Sequence, residues 1–197
     1  MVIYLIRHGE TDANAARIVQ RPSVSLSARG QEQARALARR LADVGIGEIV
    51  ASDLQRATET ASALAATTAA PIVFDSGLHE RNYGDVRGTP YADLPTDIFA
   101  PSYTPPGGET WDAFHARVDA AWARAVRRAR DRTDALAVVT HGLVCQRILS
   151  AHLDPPAAHD GAATHWGNTS VTIIEGRTVQ LLACTAHLTA PTVGARA

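Results

Sequence analysis

Residues 2–14 read VIYLIRHGETDAN. The opening VIYLI is a continuous apolar run rich in β-branched residues, the pattern of a strand covered on both faces. It stops at Arg7 and His8, and Gly9 follows at once. A buried strand that ends on two potential cations and a glycine carries polar chemistry at its C-terminal end. In parallel α/β sheets that is the edge where loops and helix N-termini converge on ligands.

Downstream the hydrophobic period changes repeatedly. Residues 28 to 44 place Ala34, Leu37, Ala38, Leu41 and Val44 at helical spacing, with Ser27 as N-cap and Gly45 as stop. EIVAS (48–52) reads as a second strand, Leu54, Ala57, Ala61, Leu64 and Ala65 as the buried stripe of a second helix, and PIVF (71–74) as a weaker strand. From 75 to 108 the pattern gives way to Gly, Pro, Asp and Tyr, a long irregular stretch suited to covering a site. A long helix begins near Thr110, with Trp111, Phe114, Val118, Ala121, Trp122, Ala125, Val126 and Ala129 as core positions. ALAVVT is a further buried strand, LVCQRILSAHL a helix, and TSVTIIE with TVQLLAC a hairpin turned at Gly176.

This alternation predicts an α/β fold, a three-layer sandwich whose mostly parallel central sheet is flanked by helices. The 197-residue length favours a single domain over 1–188, followed by a flexible tail at 189–197.

Composition narrows the chemistry. The net charge of -1 gives no reason to expect nucleic acid or a membrane as partner, so any anion site must be local. All 19 basic residues are Arg. Without lysine, a Walker phosphate loop, a kinase strand lysine and a pyridoxal Schiff base are excluded. Cys145 and Cys184 lie far apart in apolar surroundings and read as buried free thiols. The start MVIYLI is too short for a signal-peptide core, and no apolar run approaches the ~20 residues that span a bilayer, so a cytoplasmic location is expected.

Polar clusters follow the three best strands: RHGET after VIYLI, SDLQR after EIVA, and THG after ALAVV. Two strand-end histidines, each followed by glycine, together with Arg7 and Arg56, suit attack on a phosphoryl group. Forked guanidiniums match the equatorial oxygens, and Gly9 and Gly142 permit close backbone approach. Arginine beside His8 also disfavours imidazolium and keeps a ring nitrogen nucleophilic. Symmetry alone leaves His141 as an equal candidate for that role.

The motifs RHGETDAN, SDLQRATETA, LHERNYG, PGGET, THG and NTSVTIIE occur in an order that resembles the histidine phosphatase superfamily, also called the phosphoglycerate mutase-like family. The resemblance implies that His8 becomes a transient phosphohistidine and that Arg7, Arg56 and His141 hold the phosphate. It assigns Asn14 to a further hydrogen bond and Glu80 to proton donation. A bound dianion would raise the Glu80 pKa toward neutrality, as protonation of a poor leaving group requires. Thr11, Gln20, Tyr83 and Gly142 complete the expected phosphate and substrate contacts, with Arg81 beside Tyr83. No metal and no cofactor are implied, since His and Arg do the charge work.

QRPSVSLS departs from the family's Gly-x-x-Asp-x-Pro-Leu-Thr pattern at Gln20, Ser23 and Ser25, and Arg87 stands where relatives often carry an acid. His79 adjoins Glu80 and could meet substrate, and His187 could line the floor of the site. His115, His152, His159 and His165 read as surface or structural.

The short chain and absent lysine favour a phosphomonoesterase acting on a small phosphorylated metabolite. The alternatives are mutase-type phosphoryl transfer and a non-catalytic phospho-ligand binder. Neither GxSxG nor Cys-x5-Arg is present, which excludes those esterase and phosphatase classes. A homodimer would be unsurprising.

Overall fold

The computed structural model describes residues 1–156 and 164–188. The expected tail at 189–197 and His159 lie outside the described residues. In chain order the elements are β1 (Val2–Arg7), α1 (Asp12–Ala15), α2 (Ala28–Arg40), β2 (Ile46–Ala51), α3 (Gln55–Thr68) and β3 (Ile72–Phe74), then α4 (Trp111–Arg130), β4 (Ala135–Thr140), α5 (Gly142–His152), β5 (Val171–Glu175) and β6 (Thr178–Cys184). Short 3-10 turns at Ser76–Leu78, Gly84–Val86 and Tyr91–Asp93 punctuate the irregular stretch before α4.

The strands form one six-stranded sheet in the order β3-β2-β4-β1-β5-β6. β1, β4, β2 and β3 are parallel, whereas β5 runs antiparallel to both β1 and β6. Along β1 the side chains alternate between two cores, as the period of a strand demands. Ile3 and Leu5 join Phe114, Val118, Trp122 and Ile148 on the α4/α5 face, and Tyr4 and Ile6 join Leu37, Ala61 and Leu64 on the α2/α3 face. This is the expected three-layer sandwich. A third, smaller cluster of Val19, Tyr83 and Ile98 lies under the cover segment.

Caps follow the residue chemistry. Ser27 and Thr110 accept from Gly30 N and Ala113 N at the starts of α2 and α4. Two expectations need correction. Helix α2 ends at Arg40, because Leu41 turns inward as its C-cap, and Val44 stands 36% exposed in the turn that Gly45 closes at φ +73. Cys145 is buried, but Cys184 is only partly so, and its Sγ accepts from Arg40 NH2 at 3.4 Å. No helix among the described residues is long and apolar enough to cross a membrane.

Candidate active site

Register positions the site. Arg7 of β1 pairs with Thr140 of β4, and His8 N donates to Thr140 O at 2.9 Å. Ser52 N donates to Val139 O at 3.0 Å, so β2 ends at the same level. The three polar clusters therefore meet at one edge, with the His8 and His141 ring centroids 5.1 Å apart.

Two contacts fix the protonation of His8, which is 2% exposed. Its Nδ1 lies 2.7 Å from Gly9 O, which can only accept, so Nδ1 carries the proton. Arg56 Nε donates to His8 Nε2 at 3.2 Å, so Nε2 holds the lone pair. Burial, then the charges of Arg56 and Arg7, hold the imidazole well below its usual pKa, against the opposing pull of the Gly9 carbonyl.

The cations are themselves enclosed. Burial lowers Arg56 to about 10, with Glu80 opposing and Arg7 and Arg87 reinforcing the shift. Arg7 NH1 donates to Trp166 O, while its buried Nε has no hydrogen-bond partner among the described residues. His141 is fully buried at the N-cap of α5. Its Nε2 lies 2.8 Å from Ser52 Oγ, and its Nδ1 has no hydrogen-bond partner among the described residues. Ser52 Oγ also accepts from Leu54 N, and both its proton and its second lone pair are available to His141 Nε2.

Glu80 faces these groups from the cover segment. Its Oε1 accepts from Arg81 N at 3.0 Å and its Oε2 from Leu143 N, in the first turn of α5, at 3.2 Å. Burial raises its pKa, against the pull of those two N–H groups and then of Arg56 and Arg7.

A cleft of about 90 Å³ is lined by Arg7, His8, Asn14, Gln20, Arg56, Glu80, Tyr83 and other residues of the cover. That volume is small against the roughly 300–1,000 Å³ of common ligand pockets and matches a compact anionic group. Asn14 Oδ1 receives Thr11 N, the Thr11 hydroxyl and Asn168 Nδ2, which leaves the Asn14 amide NH2 for the cleft.

Several expected contacts are placed elsewhere. Thr11 is fully buried and caps α1, with its hydroxyl 3.0 Å from Gln20 Oε1, so it supports two lining residues without lining the cleft itself. Gly142 starts α5 away from the lining, and a Cβ there would lie 3.7 Å from Arg7 Nε, an ordinary contact. Gly9 serves packing: a Cβ would meet Gly30 O of α2 at 2.8 Å. Arg81 lines the cleft, but its guanidinium is held by the carbonyls of Ile98, Tyr103 and Glu109 and stacks 3.8 Å from the Trp111 ring. His79 is paired with Asp53. His187 is not in the floor of the cleft, because its nitrogens meet Arg40 and Thr169.

Sequence reasoning missed Ser52, Asn168, Tyr91 and Phe99. Ser52 and Asn168 sit inside the quoted motifs SDLQR and NTSVTIIE, which was the available signal. Tyr91 and Phe99 line the cleft from a segment without periodicity.

A family model described as "Histidine phosphatase superfamily (branch 1)" matches residues 3–182. The chain belongs to this superfamily. Among histidine phosphatase relatives, "Fructose-2,6-bisphosphatase TIGAR" of Xenopus tropicalis is 38% identical over 126 residues, covering 57% of this chain and 45% of that protein. "Probable phosphoglycerate mutase GpmB" of Escherichia coli K12 is 46% identical over 83 residues, covering 42% of this chain and 39% of that protein. The matched stretches thus span less than half the length of these curated relatives. The solved mycobacterial glucosyl-3-phosphoglycerate phosphatase in complex with VO3 superposes with a TM-score of 0.76 at 30% identity, covering 88% of this chain and 90% of that one.

Proposed function

We propose that residues 1–188 form a single phosphomonoesterase domain that hydrolyses a small phosphorylated metabolite through a phosphohistidine on His8. The observation that carries this reading is the His8 tautomer, with Nδ1 donating to Gly9 O and the Nε2 lone pair at the cleft among Arg7, Arg56 and Glu80. A neutral imidazole beside guanidiniums is an activated nucleophile.

In the first step the phosphoryl oxygens draw the Arg56 donor away from His8 Nε2. The lone pair then forms the N–P bond as the ester P–O bond breaks. The Glu80 proton passes to the departing oxygen, which leaves as the alcohol. In the second step the Glu80 carboxylate takes a proton from water as the new O–P bond forms and the N–P bond breaks. Phosphate leaves and His8 regains its lone pair. Arg7, Arg56 and the Asn14 amide stabilise charge on the transferring group, with His141 beside them as the resemblance implies.

The test is hydrolysis of an aryl phosphate by the purified protein in EDTA, beside His8→Ala. Turnover that survives the chelator and vanishes in the variant, with acid-labile phosphate trapped on the intact protein, is expected. Turnover that persists in His8→Ala would overturn the mechanism.

A further inference from the structure

Four arginines, Arg7, Arg56, Arg81 and Arg87, are among the residues that line the cleft, whereas Glu80 is the single acidic residue among them. Arg7 and Arg56 stand at its base beside His8. The Arg81 charge is uncompensated, because the carbonyls that hold it are neutral acceptors. When a phosphoryl dianion occupies the base and Glu80 carries its proton, the cleft still holds excess positive charge. An uncompensated cation in a partly desolvated wall favours a further anion there.

Arg87 is the group available to receive it. It is half-buried in the cover segment, and its guanidinium makes no hydrogen bond or ion pair among the described residues. The carboxylate whose field it feels, Glu109, already accepts from Asn82 N and from Arg117. A second cation adjoins it. The Arg21 guanidinium lies against Gly88, where a Cβ would sit 2.7 Å from its NH2, and it too makes no ion pair among the described residues. The same cleft of about 90 Å³ is lined by both His8 and Arg87, so a compact substrate whose phosphoryl group meets His8 has Arg87 within the same enclosure.

On the phosphatase reading above, we propose that the substrate carries a second anionic group, carboxylate or phosphate, bound at the cleft rim by the unpaired guanidinium of Arg87 with Arg21 beside it. This makes Arg87 a specificity-determining residue. The base of the cleft recognises the phosphoryl group to be removed, and the rim selects what it is attached to.

The test uses three compounds with one carbon skeleton: 3-hydroxypropyl phosphate, 3-(phosphonooxy)propanoate and propane-1,3-diyl bisphosphate. Their kcat/KM values are measured on the intact protein and on Arg87→Gln, and their dissociation constants are measured by calorimetry on His8→Ala with and without Arg87→Gln. The intact protein is expected to prefer at least one doubly anionic compound by about tenfold, with the preference eroded by salt. In Arg87→Gln the preference should fall below about twofold, and Arg87→Lys should restore part of it. A preference for one of the two anions identifies which group the rim takes. Equal binding of charged and uncharged compounds by the His8→Ala protein, or a preference that survives Arg87→Gln, overturns the inference. Absence of turnover for every compound counts against the phosphatase reading, and the calorimetric ratio still decides the role of Arg87.

Discussion

Replacing Glu80 with Gln separates the two jobs assigned to its carboxyl group. Gln keeps one oxygen acceptor, so one of the two N–H groups now held, Arg81 N or Leu143 N, would face an amide NH2. The unpaired amide costs about 1–3 kcal/mol, offset in part because no charge is then buried. The fold should therefore survive and the chemistry should not. Loss of a general acid removes about 10²–10⁴ in rate, or roughly 3–5 kcal/mol of barrier lowering, for an alkyl phosphate whose alkoxide must be protonated. A nitrophenolate leaves without a proton, so transfer from 4-nitrophenyl phosphate to His8 should slow by less than about tenfold. Hydrolysis of the phosphohistidine still lacks its base. Rapid-mixing absorbance should accordingly show a burst of nitrophenolate equal to the enzyme present, followed by slow turnover. Equal losses on alkyl and aryl substrates, with no burst, would refute the assignment of Glu80 to proton transfer.

Acid should destabilise the protein through its buried histidines. His8 and His141 are held well below their ordinary value of 6.5 in the fold and return to it on unfolding. Their stabilisation is complete above that pH and falls as pH drops below it, by up to about 1.4 kcal/mol per unit for each ring. Glu80, raised above 4.5, acts in the opposite direction. Urea midpoints at pH 7, 6 and 5 should trace the fall, and His141→Asn should flatten it; a flat wild-type profile would contradict the burial argument. Gly30→Ala should destabilise, because its Cβ would lie 1.9 Å from Glu10 O, and overpacking of about 1–3 kcal/mol outweighs the gain of up to about 1 kcal/mol in helix propensity. Thermal melts that rise in this variant would show that the turn after His8 yields easily. Asn168→Asp should reduce kcat on an aryl phosphate more than Asn168→Ala does, since a carboxylate would face His8 O and Asn14 Oδ1, both acceptors. Equal rates for the two variants would remove Asn168 from the support of Asn14.

The strand ends were legible because a buried strand interrupted by Arg7 and His8 has few explanations other than a ligand edge, and because parallel pairing forces such edges together. Helix α4 was legible from Trp111 to Ala129 through a long uninterrupted period. What escaped depends on contacts between distant segments. Gly9 looked like room for an anion, yet the space belongs to the backbone of α2 at Gly30. Arg81 looked free to meet substrate because main-chain carbonyls, its partners, leave no trace in a side-chain sequence. Tyr91 and Phe99 reach the cleft from a stretch whose course follows no period. Ser52 and Asn168 act through neighbours, which no spacing rule reports.

The grip of Arg81 on the cover has a consequence for how such a protein changes. Its partners at Ile98, Tyr103 and Glu109 are main-chain oxygens, which every amino acid carries. Exposed side chains along that segment can thus be exchanged by drift, selection or directed mutagenesis without removing the acceptors of that anchor, whereas Ile98 is buried and the Glu109 carboxylate holds Asn82 N and Arg117. One guanidinium lets the exposed face of the cover vary while its seat over His8 stays in place.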